Sequence, residues 1–243
     1  MRKLLILFAL LPFMALSSSA QSTKKGDVNE DGAVDISDVV ELVNIILNGS
    51  GGQSYLNCPD NHHPHMIDLG LPSETKWACC NVGATAPEGN GGYYAWGETE
   101  EKDVYDWSTY IYCEGTDETC LDFGTSICGT QYDVATKIWG NSWQMPSSEQ
   151  IKELLDNCTC EWVELNGSKG RKFTSSNGGS IFLPAAGYHD GSELFSHGSY
   201  GYYWSDTPSS SYNYCAYSVF FNSSIAIYDF DRYLGQSVRP VAK

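Results

Sequence analysis

Between residues 182 and 241 the sequence admits only short strands and tight turns. It reads F-L-P-A-A-G-Y, then G-Y-Y-W-S, then brief alternating runs, then G-Q-S-V-R-P-V. Tyr188, Tyr200, Tyr202, Tyr203, Trp204, Tyr212, Tyr214, Tyr217, Tyr228 and Tyr233 alternate with Gly and Ser. Aromatic residues suit a pleated, half-buried surface, and the small residues between them interrupt any helix. Strands are expected at 181–183, 216–221, 225–229 and 237–241, with turns at Gly178-Gly179 and Asn222-Ser223-Ser224. Two short helices should precede them. One covers 133–139 with Ala135, Ile138 and Trp139 as its apolar side. The other starts at Ser147 as cap, with Gln150 completing a capping box and Ile151, Leu154 and Leu155 forming the buried face. The pattern is that of an irregular α+β domain.

Catalytic motifs are missing from this chain. It has no Gly-x-Ser-x-Gly, no His-Glu-x-x-His and no Gly-rich phosphate loop. A carboxylate pair for glycoside hydrolysis would have to be drawn from Glu98, Glu100, Glu101, Asp206, Asp229 or Asp231, and nothing in their spacing selects one pair. What remains is a supply of aromatic rings, hydroxyls and amides, which stack on sugar or peptide surfaces and adapt their hydrogen bonds. The candidate ligand-binding residues are Tyr203, Tyr212, Tyr214, Tyr228, Asp229, Asp231, Arg232 and Tyr233. Trp204 reads as core, and Arg239 as a structural anchor.

A net charge of −16 argues against nucleic acid or an anionic membrane as partner, since both require a basic face. It suits metal cations and neutral ligands such as glycans. Residues 1–20 have the form of a secretory signal: Arg2 and Lys3, an apolar run from 4 to 16, then Ser18-Ser19-Ala20. No second apolar stretch is long enough to span a bilayer. A soluble, exported protein is expected, secreted, periplasmic or at the cell surface. Nine cysteines fit an oxidising compartment and, being odd in number, leave at least one thiol outside an internal pair. Cys113, Cys120 and Cys128 are placed to bridge locally. The adjacent Cys79-Cys80 and the close Cys158 and Cys160 are poorly spaced for internal pairing. No Cys-x-x-Cys pair suggests zinc, and the histidines at 62, 63 and 65 read as a solvated linker.

The sharpest metal motif is D-V-N-E-D-G-A-V-D-I-S-D at 27–38. Counted as a twelve-residue loop, it places Asp27, Asn29, Asp31, Asp35 and Asp38 at oxygen-ligand positions, Gly32 at the sharp turn and the Ala33 carbonyl at position 7. Four carboxylates so gathered repel one another without a cation, and hard oxygens suit Ca²⁺. This stretch resembles a type I dockerin repeat, because Asp38 stands where an EF-hand has Glu. Dockerins carry two such repeats and dock onto cohesins; here there is one. The helix that follows, 37–48, is apolar except for the stripe Ser37, Glu41, Asn44 and Asn48. A helix so apolar must bury most of its surface, and an external partner such as a cohesin-like module, meeting residues 39–47, is the expectation. A Gly-Ser-rich linker, 50–65, follows.

Beyond the linker, several motifs occur in order: I-D-L-G-L-P-S-E-T-K-W-A with C-N-V-G-A soon after (67–84), Y-Y-A-W-G-E-T (93–99), N-S-W-Q-M-P (141–146), F-L-P-A-A-G-Y (182–188), G-Y-Y-W-S (201–205) and S-V-R-P-V (237–241). Together they resemble the Fibrobacter succinogenes major paralogous domain, a family of exported bacterial domains. More distantly, they resemble the C-type-lectin-like fold shared with formylglycine-generating enzymes. The resemblance implies a compact α+β unit over 66–243, closed by a late strand pair and a terminal strand, with 113–128 as an insertion. The enzymes of that fold use a cysteine pair near the C-terminus; Cys215 stands alone there, so their activity does not carry over. The expectation is a signal (1–20), a calcium repeat (21–49), and a non-catalytic lectin-like domain that binds glycan or protein. A dockerin-associated polysaccharide hydrolase is the alternative.

Overall fold

The computed structural model describes residues 64–242, together with Val34, Ile36 and Val39. The chain divides into two units, Met1–Asn44 and Ile45–Lys243. In the first, Ile36 and Val39 take helical backbone and are exposed, at 74% and 52%. The calcium-ligand positions Asp27, Asn29, Asp31, Ala33, Asp35 and Asp38, and Val43 and Ile46 of the apolar helix, lie outside the described residues.

The second unit is built from small antiparallel sheets and two short helices. Its elements are β1 (Met66–Asp68), β2 (Lys76–Ala78), α1 (Val134–Trp139), β3 (Trp143–Gln144), α2 (Ser148–Asn157), β4 (Cys158–Leu165), β5 (Ser168–Ser175), β6 (Ser180–Pro184), β7 (Tyr188–Asp190), β8 (Glu193–Phe195), β9 (Gly201–Pro208), β10 (Cys215–Phe221), β11 (Ile225–Asp231) and β12 (Val241–Ala242). The sheets run β1-β2-β12-β3, β4-β5-β6, β11-β10-β9 and β7-β8. No described helix is long and apolar enough to cross a membrane.

Local chemistry accounts for the helices. The Asp133 carboxylate caps α1 by accepting from Thr136 N, and Gly140 ends that helix at φ 88°. Ser147 and Gln150 form the reciprocal capping box that starts α2, whose buried residues are Ile151 and Leu154. One expectation needs correcting: α1 buries Val134 and Ala135, while Ile138 is 46% exposed. The 237–241 segment is also less regular than expected. Residues 236 and 237 make isolated bridges to Tyr94 and Tyr203, and only 241–242 form a strand.

The β9-β10-β11 sheet is packed on both sides. Tyr203, Val219 and Phe221 join Trp77, Ile151, Leu154, Phe173 and Leu183 in one apolar core. Trp204 and Ala216 join Tyr94, Trp96, Met145, Leu234 and Val238 in a second. Between the elements sits Arg239, 1% exposed. Its Nε donates to Asn81 Oδ1 at 2.8 Å, Nη1 to the carbonyls of Ala78 and Cys79 at 3.1 and 3.0 Å, and Nη2 to Phe182 O at 2.8 Å. It is the anchor the sequence suggested.

Cys113 and Cys120 form a disulfide, closing a small loop within the expected insertion. Burial holds the thiols of Cys158 at about 11 and Cys215 at about 12, so neither is a thiolate near neutral pH.

Candidate functional site

The most distinctive surface of the second unit is one face of the β9-β10-β11 sheet. Register puts Tyr202 opposite Phe220, and Phe220 opposite Ala226; Ser218 faces Tyr228, and Ala216 faces Phe230. Side chains alternate across a strand. Tyr202, Phe220, Tyr228 and Phe230 therefore share a face with Trp204, and Phe230 packs in part against the second core. The rings touch: Tyr202 is 5.1 Å from Phe220 and 5.4 Å from Phe230, and Phe220 is 6.3 Å from Tyr228.

Two neighbours extend this face. Tyr200, just before β9, stacks on Phe220 at 5.6 Å. The β7–β8 hairpin pairs Tyr188 with Phe195, whose rings stack at 5.7 Å, and Tyr188 lies 4.7 Å from Tyr202. Leu194, Phe195 and Tyr228 remain 41%, 40% and 54% exposed. The result is a contiguous aromatic surface, partly wet, drawn from three segments. Burial, with Tyr188 and Tyr200 nearby, pushes the Tyr202 hydroxyl up to about 12, so it stays neutral and able to donate.

A second aromatic group lies where the 209–214 loop meets the turn after β11. Trp107 packs edge-on against Tyr233 at 4.7 Å and Tyr214 at 6.1 Å, and Tyr212 lies 5.5 Å from Tyr214. Asp229 accepts from Ser209 Oγ at 2.8 Å, which ties that loop to β11. Asp231 accepts from Cys215 Sγ at 3.4 Å, and burial raises its carboxyl. Tyr233 is pushed up to about 12, by burial first and then by Asp190 and Asp231.

The eight candidate residues therefore separate. Tyr228 lies on the sheet face, and Tyr212, Tyr214, Asp229, Asp231 and Tyr233 lie at the second group. Tyr203 and Arg232 are corrections. Tyr203 is 2% exposed, stacks on Phe221 at 5.9 Å and donates to Pro184 O at 2.7 Å. Arg232 is also 2% exposed; its guanidinium donates to Cys215 O and Leu121 O and lies 4.6 Å from the Trp96 ring centre. Both are committed to the interior and out of a ligand's direct reach. Sequence reasoning missed Tyr202, Phe220, Phe230 and Phe195 as surface. The signal was present, since 226, 228 and 230 fall on one side of a strand.

The buried carboxylates have structural partners. Asp133, fully buried, accepts from the backbone N–H groups of Gly129, Thr136 and Met145. Glu98 pairs with Lys102 at 2.8 Å and accepts from Ile111 N. Asp206 accepts from Ser126 Oγ and Thr207 Oγ1 at 2.8 and 2.7 Å. Burial, aided by the charges of Asp133 and Glu149, nevertheless raises its carboxyl above the usual range. A carboxyl raised in the folded state favours folding below its unfolded pKa of about 3.9, and that contribution is lost as pH rises through the folded value. Asp206→Asn should therefore gain stability relative to the parent as pH rises from about 4 towards neutrality. Urea melts of both proteins across that range check it; a constant difference would refute the assignment.

Set against protein-family models, curated proteins and solved structures, the chain has no match in any of the three.

Proposed function

We propose that the chain is an exported, calcium-stabilised, non-catalytic binding protein whose second unit holds a glycan on the aromatic face of the β9-β10-β11 sheet. The observation that carries this reading is the continuity of that face: Tyr200, Tyr202, Phe220, Tyr228 and Phe230 with the Tyr188–Phe195 stack. Rings exposed side by side offer the apolar faces of sugar rings a large contact at small entropic cost. The hydrolase alternative is weakened because three of its candidate carboxylates, Glu98, Asp206 and Asp229, are engaged by the protein's own donors. The raised Cys215 thiol likewise speaks against thiolate chemistry.

The lectin-like assignment draws support from the small antiparallel sheets, the two helices and β12, which lies between β2 and β3. The family resemblance rests on the ordered motifs, several of which occupy structural positions: Trp77, Trp204 and Arg239 are all buried.

The test is binding of soluble polysaccharides to the intact protein and to a Phe195→Ala, Tyr228→Ala double variant. Both residues are well exposed, so the fold should survive. A truncated aromatic anchor costs about 2 kcal/mol or more, which predicts about 30-fold or greater loss of affinity at an unchanged melting temperature. Equal binding by variant and parent would sink the reading.

Calcium belongs to the first unit. Asp27, Asn29, Asp31, Asp35 and Asp38, with the Ala33 carbonyl, form a hard-oxygen donor set that fits Ca²⁺ in charge and spacing. The ion would neutralise their mutual repulsion and stabilise the fold that binds it by mass action. Added Ca²⁺ should slow proteolysis within residues 21–50, and Asp31→Ala should abolish most of that protection. Digestion rates indifferent to chelator would show that the loop does not bind the ion. The cohesin-like partner of residues 39–47 is part of the same proposal.

A further inference from the structure

Where the β4–β5 turn faces the loop after β8, an open cleft of about 360 Å³ is lined in part by Asn90, Ser168, Lys169, His197 and Ser199. Its volume falls within the range of about 300–1,000 Å³ usual for small-ligand clefts. The walls are fixed by backbone. Asn166 and Gly167 turn the chain at φ 48° and 86°. Across the cleft, Ser199 N and Tyr200 N both donate to Ser196 O at 3.0 Å, and Gly198 N donates to Ala185 O at 2.7 Å. Gly187 lets this loop sit close, because a Cβ there would lie 2.1 Å from Phe195 O and 2.8 Å from His197 N. The Asn90 carbonyl is held by Asn81 Nδ2 at 2.8 Å and Ser237 Oγ at 3.2 Å. The cleft is preformed.

Its chemistry is opposite to that of the rest of the protein. In a chain of net charge −16, Lys169 and His197 line it and no carboxylate does. Glu164, which faces Lys169 across the strand pair, is not part of the wall. Among the described residues, Ser168, Lys169, His197 and Ser199 spend no side-chain hydrogen bond or ion pair on the protein. Their donors are free to meet oxygen atoms from outside. Position adds a further constraint. Residues 197–199 lie between Phe195 and Tyr200, and both of those belong to the aromatic face.

We infer that this cleft is a subsite for a sugar residue bearing an anionic group, a carboxylate or a sulfate ester, within the glycan held by the aromatic face; the inference rests on the glycan reading of that face. Lys169 supplies the charge for the anionic oxygens, and Ser168, His197 and Ser199 supply hydrogen bonds to the ring hydroxyls. The aromatic face contributes affinity for sugar rings in general, and the cleft distinguishes acidic chains from neutral ones.

The experiment is titration calorimetry of the full chain with two matched pairs of probes. One pair is an oligouronide and its neutral methyl ester; the other is a sulfated oligosaccharide and its desulfated form. The charged member of at least one pair should bind about fivefold tighter or more, and this advantage should shrink with added salt. Lys169→Ala, at an exposed position, should bring the ratio to about one and leave neutral binding unchanged, whereas His197→Ala, also exposed, should weaken the charged and the neutral member of each pair alike. A ratio of one in the parent protein for both pairs, or a ratio that survives Lys169→Ala, overturns the subsite. Failure of the aromatic reading has a different signature: the Phe195→Ala, Tyr228→Ala variant then binds the neutral probes as well as the parent does. Absence of binding to all four probes overturns both.

Discussion

Arg239→Met should cost the second unit at least about 4 kcal/mol and leave it largely unfolded at 37 °C if its stability lies near the low end of the usual range of about 5–15 kcal/mol. The guanidinium donates to Asn81 Oδ1 and to three carbonyls, on Ala78, Cys79 and Phe182. Methionine fills much of the volume but donates nothing, so four buried acceptors lose a partner. Each such orphan costs about 1–3 kcal/mol, and Asn81 also loses the group that orients it. Arg239→Lys should rescue little, because one ammonium cannot reach the four acceptors that the planar guanidinium fork meets through Nε, Nη1 and Nη2. Urea unfolding followed by tryptophan fluorescence measures the change. A midpoint within error of the parent's would show that these bonds contribute nothing net.

Trp204→Ala should cost about 3–5 kcal/mol, the range for deleting a buried aromatic side chain. Trp204 is fully buried, lies in the core with Tyr94, Trp96 and Val238, and donates its indole N–H to Tyr94 O at 2.9 Å. Trp204→Phe should cost only about 1–2 kcal/mol, mostly through lost volume. The Tyr94 carbonyl keeps its second donor, the backbone N–H of Gln236 at 3.1 Å. The ordering of the two variants in thermal melts matters more than either value. If Phe proved as damaging as Ala, the hydrogen bond rather than packing would be the dominant contribution.

Much of the secondary structure was legible because its signals are local. Ser147 and Gln150 announce α2, and the pattern at 216–221 and 225–229 announces a strand pair with a turn at Asn222, which the structure extends to Cys215–Phe221 and Ile225–Asp231. Core and surface were harder to separate. Tyr202 and Tyr203 are neighbours of identical chemistry, yet one lies on the aromatic face and the other is 2% exposed. Period-two alternation says they differ; which of them faces inward depends on what packs against each side of the sheet, and that information is carried by distant segments such as α2 and Leu234. Arg232 illustrates the same limit. Its charge suggests a surface group, but its guanidinium rests on Trp96 and Phe123, contacts made only after the chain has closed. The polar cleft was invisible for a related reason, since Asn90, Lys169 and His197 come from three segments far apart in the chain.

The placing of β12 bears on the order in which the chain acquires its structure. Val241 pairs with Trp77 on one side and Gln144 on the other, so β2 and β3 have no direct link in their sheet without it. The β4–β5 and β10–β11 hairpins need only neighbouring residues and can form early. The β1-β2-β12-β3 sheet, by contrast, requires one of the longest loop closures in the unit, and pairings of that kind are slow. While the polypeptide is still being synthesised, Trp77 and Trp143 lack their β12 neighbours until residues 241 and 242 arrive. The last few residues of the unit thus set the moment at which it becomes resistant to proteases and to aggregation.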